Sequence, residues 1–288
     1  MKKKIIWIAS YPKSGNTWAR TILTSLFFTK DGKFNFEILK SISIFENVER
    51  FEFVKNINPA DYKKLNELET LSKYWIECQN RTEMNGDFIF FKTHHSCITY
   101  LKKFSFTNLE NSIGLIYLIR DPRDVVISYA KHMGWNIDHA IKLMKKKGAI
   151  NYYSSKFEEK RNKYPAVISS WDEHLESWQN LHVPKLIIRY EDLLENTKET
   201  LITIANFFQN NYPIKFRNLN EKIDNIILTT KFEVLKKHEQ KHGFSESSKN
   251  SDFFRIGKKN QWEKNLTNKQ VKSIEIAFAK QMREFNYL

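Results

Sequence analysis

Ile5-Ile6-Trp7-Ile8-Ala9, a single Ser10, and then Tyr11-Pro12-Lys13-Ser14-Gly15-Asn16-Thr17-Trp18 form the stretch on which the reading of this chain turns. The first run is apolar and rich in β-branched residues, the composition of a strand buried on both faces. It breaks into a loop of Gly, Ser, Thr and Lys, and a helical pattern then runs from about Thr17 to Phe28. A strand that passes through such a loop into a helix builds an anion cradle. The loop N–H groups and the helix N-terminus point at one place, and Lys13 and the hydroxyls add charge and donors.

Outward from this stretch, strand and helix patterns alternate, which favours an α/β fold with a central, mostly parallel sheet flanked by helices. Further strands are expected at Asp87–Lys92, Ile113–Ile119 and Lys185–Arg189. Pro122 suits the first turn of a helix that continues through Val125–His132. Another helix is expected around Lys198–Phe208. Residues 31–86 are mixed and aromatic-rich, with weak helical periodicity over Tyr62–Glu77, and read as an insertion over the sheet. Residues 141–165 and 236–262 read as polar loops. Near the C-terminus, Thr267 and Gln270 have the spacing of a capping box. Val271, Ile274, Phe278, Met282 and Phe285 then form one apolar stripe, which reads as core. No repeat or low-complexity linker interrupts the chain, so 1–288 is expected to be one domain.

The 288 residues carry a net charge of +14, with 41% hydrophobic residues. No apolar run approaches the ~18 residues of a membrane span, and the apolar run after Met1-Lys2-Lys3-Lys4 is too short for a signal peptide. Cys78 and Cys97 fit a reducing compartment without a disulfide framework. A cytoplasmic protein is expected. The basic balance invites a nucleic-acid partner, but no zinc-finger or RRM-type signature accompanies it. Lys142, Lys145, Lys146 and Lys147 read as a solvated face, and no specific nucleic-acid binding is expected.

In an open α/β sheet, chemistry gathers at the carboxyl ends of the strands. Polar clusters stand at each expected end: the first loop, Lys92-Thr93-His94, Arg120-Asp121-Pro122-Arg123-Asp124, and Tyr190-Glu191-Asp192. The first loop lacks the Lys-Ser/Thr ending that holds magnesium in nucleoside triphosphatases. Asp121, flanked by Arg120 and Arg123, reads as an ion-pair partner and not as a magnesium ligand. No metal site is expected.

Together these blocks resemble the cytosolic-type sulfotransferases, which use 3′-phosphoadenosine 5′-phosphosulfate (PAPS). Tyr11–Trp18 is similar to their first loop, Arg120 precedes Ser128 by their spacing, and Lys92-Thr93-His94 and Tyr190-Glu191-Asp192 match two further blocks. Phe253-Phe254-Arg255-Ile256-Gly257, followed by Trp262, resembles their C-terminal segment. The resemblance implies that Lys13, Ser14, Gly15, Asn16 and Thr17 hold the 5′-phosphosulfate and that Trp18 packs on adenine. It implies that Arg120 and Ser128 bind the 3′-phosphate and that Phe254, Arg255 and Gly257 close over it. Tyr190, with Thr230 and Phe232, would contact the base. His94 would be the general base, while Lys13, Lys92 and Ser128 complete the catalytic set. PAP (3′-phosphoadenosine 5′-phosphate) would be the product, and no metal would take part.

The chain departs from the pattern at Asn16, where Thr is commoner, and at Ile256, where a Lys is usual. Lys258 or Lys259 is the candidate to restore that charge. Thr267, Asn268 and Lys272 do not reproduce the family's dimer segment, so the oligomeric state is left open. The rival readings are a P-loop kinase or NTPase, and a non-catalytic nucleotide-binding protein. The acceptor is expected to be a small molecule, an apolar or aromatic alcohol or phenol. Residues 31–86 and 133–165 would line its pocket, with Gly134-Trp135 at the mouth.

Overall fold

The computed structural model describes residues 4–52, 54, 57–80, 87–152, 163–244, 246–247, 252–254 and 256–288. Five strands form the central parallel sheet: β1 (Lys4–Ser10), β2 (Ser43–Ile44), β3 (Phe88–Thr93), β4 (Ser112–Ile119) and β5 (Lys185–Arg189). Their order is β2-β3-β1-β4-β5. Every residue from Ile5 to Ala9 is 0% exposed, which fits a central parallel strand covered on both faces. The register of β1 on β3 pairs Ile8 with Lys92 and Ala9 with Thr93. The next residues, Ser10 and His94, therefore leave the sheet side by side.

The chain divides into two compact units. One comprises Met1–Tyr11, Ile42–Tyr117 and Lys146–Lys185. Its core gathers on Trp7, whose ring lies 5.2–5.8 Å from those of Phe45, Phe91, Phe106 and Trp178. Trp75 packs on Phe106, so much of the aromatic content of 31–86 is core. That segment holds short helices at Pro59–Tyr62, Leu68–Ser72 and Trp75–Asn80 where weak periodicity was expected. It also supplies the edge strand β2, which two residues cannot announce in a sequence.

The other unit comprises Pro12–Ser41, Leu118–Lys145 and Leu186–Leu288. Here α1 spans Asn16–Phe28 and α2 spans Pro122–Met133. Pro122 opens α2, Asp121 caps it by accepting the Arg123 N–H at 2.9 Å, and Gly134 ends it with a positive φ. The helix Thr197–Asn211 lies where one was expected.

Two segments read as loops contain helices. Phe232–His242 is helical, with Leu235 and Glu239 turned inward and Phe232 and His238 half-buried against Phe254 and Phe36. Ile137–Met144 is also helical, burying Ala140, Ile141 and Met144, and Ile150–Asn151 pairs with Ala166–Val167 as a short antiparallel ribbon. The C-terminal stripe is carried by two helices, Asn268–Ala277 and Ala279–Glu284, which break at Phe278. Ile274, Phe278 and Met282 are buried, as a core stripe requires.

Candidate active site

The phosphate-loop geometry is built by backbone. Lys13 and Gly15 both have positive φ, 70° and 95°, a turn of the kind that aims successive N–H groups to one side. A Cβ on Gly15 would sit 2.6 Å from Cδ2 of Tyr190, so the position admits only glycine without a shift of that ring. Gly15 leads straight into α1, which has no side-chain cap. A helix N-terminus opened this way favours an anion through its dipole and the N–H groups of its first turn. The Ser14 hydroxyl is fully buried and has no hydrogen-bond partner. A buried polar atom without a partner at the base of an anion cradle is what a phosphate group would satisfy. The Lys13 ammonium lies 4.3 Å from the centre of the Phe253 ring. Asn16 and Thr17 are buried in the first turn of α1, and the Thr17 hydroxyl donates to Glu246 at 3.0 Å.

Arg120 sits at the carboxyl end of β4, with its guanidinium 4.3 Å above the Tyr190 ring. It donates to the carbonyls of Lys13 and Lys258 at 3.4 and 3.1 Å and lies 3.7 Å from Asp124. Its Nε is buried and unpaired, a second open donor. Burial pushes the Asp124 carboxyl up, against the pull of Arg120. Asp121 pairs with Arg123 at 2.7 Å, the ion pair expected of it. Ser128 is half-buried on α2.

Trp18 donates its indole N–H to the Thr230 carbonyl at 3.0 Å, and its ring meets Tyr190 edge-on at 5.8 Å. The Thr230 hydroxyl turns back to the Ile226 carbonyl, so this residue reaches Trp18 through its backbone. Gly257 has a φ of 62°, and a Cβ there would lie 2.4 Å from the Phe232 ring. Phe254 is buried beside Phe232. Arg255 lies outside the described residues. Lys259 pairs with Glu195, so its charge is already engaged, and Lys258 contributes its carbonyl to Arg120. Trp135 packs between Tyr129 and His139.

Lys92-Thr93-His94 belongs to the first unit. Lys92 is 3% exposed at the end of β3. Nδ1 of His94 lies 2.8 Å from the Ser10 carbonyl. A carbonyl only accepts, so Nδ1 carries the proton and Nε2 presents a lone pair. Among the described residues, no hydrogen bond engages that Nε2. His94 is held well below the ordinary imidazole pKa, first by burial and then by Lys92. It is therefore neutral throughout the physiological range. His95 differs. Its ring stacks on Phe106 at 4.3 Å and meets Trp75 edge-on, and burial drops its pKa to about 3. His95 is a core residue, which leaves His94 as the one able to exchange a proton.

Some neighbours escaped the sequence reading. Glu46 accepts the His94 N–H at 3.1 Å and the Thr93 hydroxyl. His174 donates to the His94 carbonyl. The buried spacing Trp171, His174, Leu175, Trp178 was visible as an apolar helix face, and a His on such a face is the signal that could have found His174. Glu46, beside a two-residue strand, had none. Among the described residues, no group of His, Cys, Asp and Glu is placed to hold a metal ion, and no helix is long and apolar enough to cross a membrane.

The family model described as a sulfotransferase domain matches residues 3–286. The chain belongs to the sulfotransferase family. Sulfotransferase 1B1 of Canis lupus familiaris is 28% identical over 96% of this chain and 83% of its own length. Among solved structures, a mouse sulfotransferase complexed with PAP aligns with a TM-score of 0.58 at 18% identity, covering 98% of this chain and 84% of that one. Retinol dehydratase in a complex with retinol and PAP aligns at 0.60 and 20% identity, covering 98% and 82%. These likenesses establish the shared fold. As a member of the family, this sulfotransferase uses PAPS as its sulfuryl donor.

Proposed function

We propose that this sulfotransferase moves a sulfuryl group from PAPS to a hydroxyl or amine of a small-molecule acceptor, with Nε2 of His94 as the general base. The observation that carries this reading is the His94 tautomer: Nδ1–H is committed to the Ser10 carbonyl, and Nε2 is left with its lone pair. The acceptor oxygen forms a bond to sulfur, the sulfur–oxygen bond to the PAP phosphate breaks, and the acceptor proton passes to Nε2. Positioning and electrostatics dominate such a transfer. Lys92 and Lys13 stabilise the sulfuryl and leaving oxygens, and Ser128 assists at the 3′-phosphate.

The open donors support the nucleotide assignments. Ser14, Gly15, Asn16 and Thr17 would hold the 5′ end through the loop and the uncapped α1. Arg120, whose guanidinium fork suits a phosphate oxygen pair, would take the 3′-phosphate with Ser128, Phe254, Arg255 and Gly257. Trp18, Tyr190, Thr230 and Phe232 would surround adenine. The acceptor is proposed to be an apolar or aromatic alcohol or phenol, in keeping with the retinol held by one solved relative. The family match over 3–286 supports one functional domain across both units. Cys78 and Cys97, neither joined in a disulfide, fit the proposed cytoplasmic setting.

The test is turnover of PAPS to PAP with a panel of phenols, alcohols, sugars and amines. The wild-type chain should sulfate at least one class without added magnesium. His94→Ala should lower kcat by about 10²–10⁴-fold with PAP binding retained. Tight PAP binding without turnover on any acceptor would favour a binding protein, and full activity in His94→Ala would remove the proposed base.

A further inference from the structure

We propose that His174 and Tyr117 are positioning residues for His94, holding its peptide through a buried hydrogen-bonded chain that begins at the backbone of Tyr11. The proposal rests on the reading of His94 as the base. His174 and Tyr117 are 0% and 2% exposed, so water plays no part in satisfying them. Nε2 of His174 lies 3.1 Å from the His94 carbonyl, and its Nδ1 lies 2.8 Å from the Tyr117 hydroxyl.

Only one proton arrangement satisfies this chain. The carbonyl cannot donate, so His174 carries its proton on Nε2. Nδ1 is then an acceptor, and the Tyr117 hydroxyl must give it its single proton. That hydroxyl can still accept, and the backbone of Tyr11 bonds to it. Burial keeps His174 neutral, with a pKa of about 3, which preserves the arrangement across the working range.

On its other side the preceding peptide is held by Glu46, which accepts the His94 N–H. The ring itself is held by the Ser10 carbonyl. His94 is thus fixed at its N–H, its C=O and its Nδ1, leaving Nε2 to react. Ser10 and Tyr11 open the phosphate loop, so the same chain ties the base to the start of the loop. A base displaced by about 1 Å loses rate by about 10²-fold, which gives these contacts their consequence.

His174→Leu should lower kcat about 10–100-fold with the KM for PAPS and the affinity for PAP unchanged. His174→Gln, which retains an amide N–H for the His94 carbonyl, should recover most of that loss. Tyr117→Phe should slow the wild type but add little in the His174→Leu background, because both act through one chain. A pH profile separates positioning from packing. The groups facing His94 are Lys92, His174, Lys163, the Glu46 carboxylate and the Ser10 carbonyl. A loosened ring gives up part of the Ser10 carbonyl contact that raises its pKa, so the acid limb of kcat/KM should move to lower pH in His174→Leu and return in His174→Gln. A folded His174→Leu protein with lower Tm but wild-type kcat and acid limb would overturn the proposal. Should His174→Leu fail to fold, Tyr117→Phe and His174→Gln carry the same comparison. His94→Ala distinguishes the two levels. If it keeps turnover, the base assignment fails; if it loses turnover while His174→Leu does not, only the positioning role fails.

Discussion

The surroundings of His94 and those of the phosphate loop solve opposite problems. Around His94 the contacts are closed: its N–H, its C=O and its Nδ1 each have a partner, and only Nε2 is left open. Around the loop the contacts are unfinished. Ser14 buries a hydroxyl without a partner, Arg120 buries an unpaired Nε, and α1 begins without a side-chain cap. Leaving a buried donor unmade costs about 1–3 kcal/mol, so such groups persist where a ligand completes them. On the proposed reading, a group that must act as a base is held by the protein itself, whereas groups that must grip an anion keep their donors in reserve.

The largest expected effect that can break this contrast lies at Arg120. Arg120→Ala should weaken PAP binding by about 1.5–3 kcal/mol, the worth of hydrogen bonds to a charged group. Titration calorimetry with PAP measures it. Its neighbour Arg123 serves as the control, because that guanidinium is saturated by Asp121, Glu275 and the Tyr287 carbonyl. If Arg120→Ala binds PAP normally and loses only stability, then Arg120 is a partner for Asp124 and Tyr190 and nothing more.

The two arginines also mark how far the sequence could be read. Strand ends, the phosphate loop, the Arg120–Ser128 spacing and Lys92-Thr93-His94 are local patterns, and the strands and the loop-to-helix step lie where they were expected. What supports them is not contiguous. Glu46 and His174 reach His94 from 48 and 80 residues away, and a pairing over that distance leaves no local periodicity. The helix Phe232–His242 was missed for another reason. With only Leu235 and Glu239 buried, its apolar stripe is too thin to show a 3.6-residue repeat.

A smaller effect probes the closed side. His95 and His174 have pKa values near 3 in the folded chain, against about 6.5 for a free imidazole. The unfolded state therefore binds protons that the folded state refuses. The stability each neutral ring contributes is fully present above pH 6.5 and is lost as pH falls from there towards 3, by roughly 1.4 kcal/mol per pH unit per residue. His95→Phe, which keeps an aromatic ring against Phe106, should flatten the fall of Tm between pH 6.5 and 5. An unchanged slope would mean that His95 takes up its proton without unfolding, and the closed side would be less closed than its contacts indicate.

The smallest effect lies at Thr267 and asks whether the C-terminal helices belong to either side. Thr267 accepts the Gln270 N–H at 3.3 Å, and its own N–H donates to the Gln270 side chain at 3.0 Å. Gln270 also donates to Asp138 at 2.8 Å, so the cap reaches the helix Ile137–Met144 as well as its own. Losing such a cap costs about 1 kcal/mol, a fall of roughly 2–4 °C in a chain of this size. Thr267→Ala should therefore lower Tm slightly and leave both kcat and PAP affinity alone, since neither partner of the cap touches the loop or Arg120. A fall in PAP affinity without a matching fall in Tm would break that separation. The route would run through Arg123, which holds Glu275 in the same helix and stacks on Trp262, whose N–H bonds to the Asp124 carboxylate beside Arg120.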